Sequence, residues 1–304
     1  MTPQIGTEFA GLRLRNPFIL AAGILGISGH TLRRAAEAGA GAVVTKSFGL
    51  EPRAGFPNPT VVEVPCGLLN AMGLPNPGVG VLKEEVQEAR MTGVPLIASV
   101  YGFTETDYAE AASQAEQAGA DAVELNVSCP HVKEVGEQVG QDPDLVASVT
   151  ESVKKRVKFP VVVKLSPNVT DIVSIAKRAV EAGADGITAI NTVRAISIDI
   201  DVQRPVLAAE TGGLSGPAIK PIALRCVYEI HKAVNVPLIG CGGITDWRDA
   251  VEFFLAGATA VQVGTAVMYR DLEVFSDLQK GLGEYLEAKH FDNIAQLVGL
   301  ACRV

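Results

Sequence analysis

Short, nearly continuous apolar runs recur along the whole chain. They are 17–23 (PFILAAG), 41–47 (GAVVTKS), 95–101 (PLIASVY), 121–127 (DAVELNV), 160–166 (PVVVKLS), 186–192 (GITAINT), 236–241 (VPLIGC) and 260–266 (AVQVGTA). Runs of this length without polar alternation suit strands covered on both faces. Between them, apolar residues fall at helical spacing, as over 107–118, 143–156, 171–182 and 217–234. The junctions repeat too: EAGAGAVV, QAGADAVEL, EAGADGITA and LAGATAVQV each pass from a helix end through glycine into a strand. Glycine stops a helix there because it accepts the left-handed conformation. Eight strands alternating with helices predict an α/β protein of the (β/α)8 TIM barrel class, one domain over residues 1–304. An open doubly wound sheet is the competing arrangement, but no Gly-rich fingerprint follows the first strand.

The strand-to-helix connections are unequal. Those after strands 2, 4 and 6 are long, spanning 47–78, 130–142 and 193–216. In a barrel these connections share one face, where sites are built. The first is rich in Pro and Gly (EPRAGFPNPT, MGLPNPGVG) and reads as a structured wall or lid.

Composition narrows the partners. The chain of 304 residues is 48% hydrophobic, enough for one large core, and its net charge is -8. That acidic balance argues against a nucleic-acid or anionic-membrane surface. No apolar run is long enough for a spanning helix, and the N-terminus lacks the pattern of a secretory signal. Cys66, Cys129, Cys226, Cys241 and Cys302 are scattered singly, without a CxxC pair. Neither a disulfide framework nor a metal site is expected, and a reduced, cytoplasmic setting fits.

A barrel sends polar residues at the C-terminal strand ends into its site. Here these are Ala21-Ala22-Gly23, Thr45-Lys46-Ser47, Ser99, Asn126-Val127-Ser128-Cys129, Lys164 with Ser166, Asn191-Thr192, Gly240-Cys241-Gly242-Gly243 and Gly264-Thr265. Lysines and asparagines inside apolar runs are costly without partners, so their convergence points to a ligand. GCGGI, VGTAV and GGLSG (212–216) offer backbone N–H groups suited to a phosphate, although tight turns alone also call for glycine. Lys164, within VVVKLS, reads as a cation beside an electron-rich ring, against snorkelling at the rim. Lys46 follows the same logic, with a rim ion pair as the competing reading. Cys129 is either a small buried hydrophobe or a thiol placed to take a proton. The other cysteines read as structural. His131 reads equally as a companion to Cys129 or a surface imidazole, and His30, His231 and His290 carry no signal.

In order and spacing, ELNVSCPH, VVVKLSPNVTDI, TAINTV, GGLSGPAIKPIALR, IGCGGI and QVGTAVM resemble the class 1 dihydroorotate dehydrogenases, above all the class 1B catalytic subunits. The resemblance runs from about residue 5 to 270. It implies an FMN-containing barrel that oxidises dihydroorotate to orotate in pyrimidine synthesis. FMN would meet Ala22, Gly23, Lys46, Ser47, Ser99, Asn126, Lys164, Ile190, Ser215, Gly216, Gly242, Gly243, Gly264 and Thr265. Substrate would meet Lys46, the segment Asn70-Ala71-Met72-Gly73-Leu74, Asn126, Asn191 and Thr192. Cys129 matches the general base, and Lys164 would face the N1–C2 edge of the flavin. The resemblance further implies a homodimeric core and an electron-transfer subunit carrying FAD and a 2Fe-2S cluster, which reduces NAD; the lack of a Cys cluster here equally fits a stand-alone enzyme using a soluble acceptor.

Some positions depart from the pattern. His131 stands where the family often has Asn, and Ser99 replaces an Asn. SCPH also occurs in dihydropyrimidine dehydrogenases, which reduce uracil and thymine and place a catalytic cysteine just before GQDP. Val139 occupies that position here. Two readings outside flavin chemistry are a phosphate-binding isomerase or aldolase with Lys164 as an amine, and a catalytically silent assembly subunit.

Overall fold

The computed structural model describes residues 3–127 and 139–303. Eight parallel strands form a closed ring. They are β1 (Phe18–Leu20), β2 (Ala42–Val44), β3 (Leu96–Val100), β4 (Ala122–Asn126), β5 (Val161–Leu165), β6 (Gly186–Ala189), β7 (Leu238–Cys241) and β8 (Ala260–Val263). Each lies within one of the apolar runs read from the sequence. The last strand pairs with the first, Val261 opposite Phe18 and Val263 opposite Leu20, and this closure decides for the barrel over the open sheet. Helices follow the strands. Glu105–Ala118 starts in a capping box between Thr104 and Asp107 and stops at Gly119, whose φ of 93° is left-handed. Pro143–Arg156 is capped by Asp142, and Ile172–Glu181 by Asp171.

One helix differs from its expected span of 217–234. Pro217–Ile219 forms a 3-10 turn, and the α-helix proper is Lys220–His231. Pro217 and Pro221 lack an N–H, so both are confined to first turns, where no intrahelical donor is needed.

Alternation along the strands divides two apolar layers. Outward side chains pack under the helices in the main core. Inward ones, including Ile19, Val44, Ile97, Val162 and Ile239, fill the barrel together with Phe9 and Leu14. Those two belong to an N-terminal hairpin, Thr7–Phe9 with Leu12–Leu14. A Cβ on Gly186, the first residue of β6, would meet the Phe9 ring at 2.6 Å, so the hairpin plugs the N-terminal mouth. The opposite mouth is left for polar groups.

The long connections after β2 and β6 are not independent loops. They combine into one four-stranded antiparallel sheet, in the order Val193–Ala195, Gly212–Ser215, Gly67–Asn70, Val61–Val64. GGLSG is therefore mostly a strand, with only its last residue at the helix entry. Periodicity does not reveal these strands because each has three or four residues and finds its partner far along the chain. Ser128, Cys129, Pro130 and His131 lie outside the described residues.

Candidate active site

A cavity of about 380 Å³ opens at the C-terminal ends of the barrel strands, within the usual range for small-molecule sites. Ala22 and Gly23 follow β1 into its wall, Lys46 and Ser47 follow β2, and Ser99, Asn126 and Lys164 come from β3, β4 and β5. Ile190, Asn191 and Thr192 line it after β6; Gly242 and Gly243 after β7; Gly264 and Thr265 after β8. The antiparallel sheet adds Asn70, Ser215 and Gly216, and Met72, Gly73 and Leu74 follow. Ala71 is the exception among the described residues that the resemblance assigns to FMN or substrate. It is 1% exposed and packs with Leu69 and Leu207 behind the wall, because alternation turns Asn70 and Met72 to the cavity and Ala71 away. Ser166 also turns from the cavity and accepts hydrogen bonds from Asn168.

The polar side chains of the wall are tied in a row. Ser47 and Ser99 share a hydroxyl–hydroxyl bond of 2.8 Å. The Asn126 amide donates to Ser47 Oγ at 3.0 Å, and Asn191 donates to Asn126 Oδ1 at 3.2 Å. The Thr192 N–H in turn donates to Asn191 Oδ1 at 2.8 Å. Asn70 donates to Gly213 O at 3.1 Å across the sheet. Each bond fixes which end of an amide is oxygen and which is nitrogen, so the wall presents a set pattern of donors and acceptors.

Beneath the wall lies a buried ionic group. Lys164 Nζ donates to Gln262 Oε1 at 2.7 Å and stands 3.5 Å from Glu124 Oε1, with side-chain exposures of 8% for Lys164 and 0% for Glu124. Gln262 Nε2 donates to Glu124 Oε2 at 2.5 Å, and the Thr188 hydroxyl reaches the same oxygen at 2.9 Å. Burial works against the Lys164 ammonium. The Glu124 carboxylate and, at high pH, a Cys241 thiolate outweigh it, so Lys164 is held above the usual lysine range. Burial pushes the Cys241 thiol up despite Lys164, leaving it neutral near neutral pH.

The opposite wall is built of backbone. Gly242 and Gly243 have φ of 128° and 78° in succession, a path that side chains with a Cβ rarely follow. Gly243 also lets the turn touch the start of the preceding helix, since a Cβ there would lie 2.8 Å from Lys220 N. Among the described residues, no acceptor meets the N–H of Gly242, Gly243 or Thr265. Thr265 Oγ1 donates to Ser215 Oγ at 2.8 Å and ties this turn to the antiparallel sheet.

The sequence carries a matching family signature. The model of the family described as dihydroorotate dehydrogenase matches residues 4–286. The chain belongs to the dihydroorotate dehydrogenase family. Dihydroorotate dehydrogenase B (NAD(+)), catalytic subunit, from Methanocella arvoryzae is 51% identical over 301 residues, 99% of each chain. Proteins of the same name from Pyrococcus furiosus and Methanothermobacter thermautotrophicus are each 50% identical, covering 99% and 98% of this chain and 100% and 98% of their own. Within the family the chain thus groups with the class 1B catalytic subunits.

For this dihydroorotate dehydrogenase family member, sequence reasoning passed over Glu124, Thr188 and Gln262, and read Cys241 as a strand-end residue with a structural role only. Gln262 and Cys241 line the cavity, and Glu124 and Thr188 support it from below. Glu124 and Gln262 carried the same signal as Lys164, a polar residue inside an apolar run (AVELNV, AVQVG). Only pairing across the barrel shows that the three belong together. No helix among the described residues is long and apolar enough to cross a membrane.

Proposed function

We propose that this chain oxidises dihydroorotate to orotate with FMN in the cavity, as the catalytic subunit of an NAD-linked complex. The observation that supports it most is the convergence, on one cavity, of a buried lysine, a row of oriented amides and a turn of open backbone N–H groups. A flavin mononucleotide needs those three surfaces. The N–H groups of Gly242, Gly243 and Thr265, with Ser215 and Gly216 opposite, fit its phosphate. The small residues Ala22, Gly23 and Gly264 leave room for a flat ring. Lys164 would supply positive charge to the ring, and Ser47, Ser99, Asn126 and Ile190 line the same cavity.

Bound FMN supplies the acceptor for the hydride that leaves C6 of dihydroorotate. The chain's own residues do the rest. Asn70, Asn126, Asn191 and Thr192 hold the pyrimidine through amide and hydroxyl groups whose orientation is already set. Lys46 adds charge for the carboxylate, and Met72, Gly73 and Leu74 cover the substrate side. Cys129, three positions beyond Asn126 in sequence, takes the proton from C5. Substrate thus loses one proton and one hydride, which balances the new C5–C6 double bond. A partner subunit holding FAD and a 2Fe-2S cluster would carry the electrons on to NAD, with this chain in a homodimeric core in the cytoplasm. The shared name of the relatives, a catalytic subunit linked to NAD(+), supports that arrangement.

The test is anaerobic. Protein reconstituted with FMN is mixed with dihydroorotate, and flavin absorbance and orotate are followed together. The expected result is bleaching with one orotate per flavin. A flavin that stays oxidised with dihydroorotate, or bleaches with dihydrouracil instead, overturns the assignment.

A further inference from the structure

Barrel interiors are ordinarily filled with branched apolar side chains. In this one, a group of four polar side chains from neighbouring and facing strands sits directly under the cavity: Glu124 on β4, Lys164 on β5, Thr188 on β6 and Gln262 on β8. Fully burying a carboxylate is expensive, and an apolar residue of similar volume would stabilise the fold as well or better. Something other than stability must account for Glu124.

Geometry indicates what that is. Glu124 Oε2 receives the Gln262 amide and the Thr188 hydroxyl, so the carboxylate and the amide are both locked in orientation. With its nitrogen committed to Glu124, Gln262 can only present oxygen to Lys164, and it does so at 2.7 Å. The second carboxylate oxygen lies 3.5 Å from the same ammonium. Lys164 is therefore drawn by one acceptor and one charge, both fixed from below, while it lines the cavity above.

We propose that Glu124 is a positioning residue: through the Gln262 bridge and its own charge it keeps Lys164 protonated and aimed at the ring bound in the cavity. This rests on the FMN reading of the cavity for its consequence, but not for its premise. Among the described residues, the ionisable groups acting on Lys164 are Glu124 from β4 and Cys241 from β7. Thr188 and Gln262, from β6 and β8, are uncharged, and Lys46 at the end of β2 lines the same cavity. The Cys241 thiol is neutral near neutral pH, so Glu124 is the counter-charge that matters there. Without it, the balance on Lys164 moves toward burial, which favours the neutral amine.

The experiment reads Lys164 directly. Protein labelled with 15N and 13C at lysine is titrated by NMR without flavin, the Lys164 signal being assigned by its loss in Lys164→Met. In the wild type the signal is expected to remain that of an ammonium through pH 9. In Glu124→Gln it should titrate with a protonation constant lower by tenfold or more, and Glu124→Asp, which keeps the charge, should restore most of the difference. FMN binding, followed by fluorescence quenching, should be flat from about pH 6 to 9 in the wild type and gain an inflection in Glu124→Gln where Lys164 loses its proton. A Lys164 signal unmoved by Glu124→Gln overturns the proposal. So does a neutral Lys164 below pH 9 in the wild type, a result that needs no variant to fold. If the NMR shift is seen but no form binds FMN, the cavity reading fails while the role of Glu124 stands.

Discussion

Removing the Lys164 ammonium should expose the cost of the charge beneath it. In Lys164→Met the apolar stem is nearly conserved, but Gln262 loses its donor and Glu124 its counter-charge. Among the described residues Glu124 Oε1 has only the Lys164 ammonium at 3.5 Å near it, and the residue is wholly shielded from water. Breaking a buried pair by deleting one partner costs on the order of 3–5 kcal/mol. The cost falls on Glu124 because its carboxylate is left among apolar and neutral neighbours with no cation beside it.

Urea unfolding of the flavin-free protein measures this. Trp247, the single tryptophan, packs 5.8 Å from the Tyr285 ring and reports the transition. We expect a loss of about 3–5 kcal/mol at pH 7. The double variant Lys164→Met/Glu124→Gln should recover most of the loss. A single-variant deficit under about 1 kcal/mol, or a double variant no more stable than the single one, would refute the picture of a shielded, mutually dependent pair.

Other expectations test other parts of the site. Gly243→Ala forces a side chain into a left-handed conformation, worth about 1–2 kcal/mol, and places its Cβ 2.8 Å from Lys220 N. The turn must shift, and FMN affinity by fluorescence titration should fall at least tenfold; unchanged affinity would remove this turn from the phosphate site. Cys129→Ala should retain FMN yet slow anaerobic bleaching by dihydroorotate by orders of magnitude, whereas normal bleaching would exclude the thiol as base. For Asp249, burial pushes the carboxyl up, but Lys220 at 2.7 Å and the Thr245 N–H and hydroxyl at 2.8 and 2.6 Å hold it below the ordinary range. Its contribution is present above about pH 4 and is lost as pH falls through the depressed value. Asp249→Asn should flatten acid unfolding in that window, as read by circular dichroism; an unchanged acid profile counts against the coupling.

Much of the cavity wall was legible in the residues, for a specific reason. Lys164, Asn126 and Asn191 sit inside or at the end of apolar runs, where an unpartnered polar group is costly, so each announced itself. Ala71 did not sort itself from Asn70 and Met72, because a five-residue segment says nothing about which alternate positions face inward until a sheet is built. Glu124 and Gln262 were visible as polar interruptions, but not as partners of Lys164, from which they are 40 and 98 positions away.

What the linear order of residues determined by itself was local: eight apolar runs, glycine stops, capping residues and the polar tips that follow each strand. Those are short-range properties of sterics and hydrophobic periodicity, and they survive any arrangement of the strands. Tertiary structure decided what depends on meetings across the chain. Closure of β8 onto β1 turned separate tips into one ring. Pairing of Gly67–Asn70 with Gly212–Ser215 built the wall facing that ring. Crossing of the interior by Glu124, Lys164 and Gln262 placed a charge pair under it. Such contacts rest on distance in space, which a one-dimensional pattern does not encode.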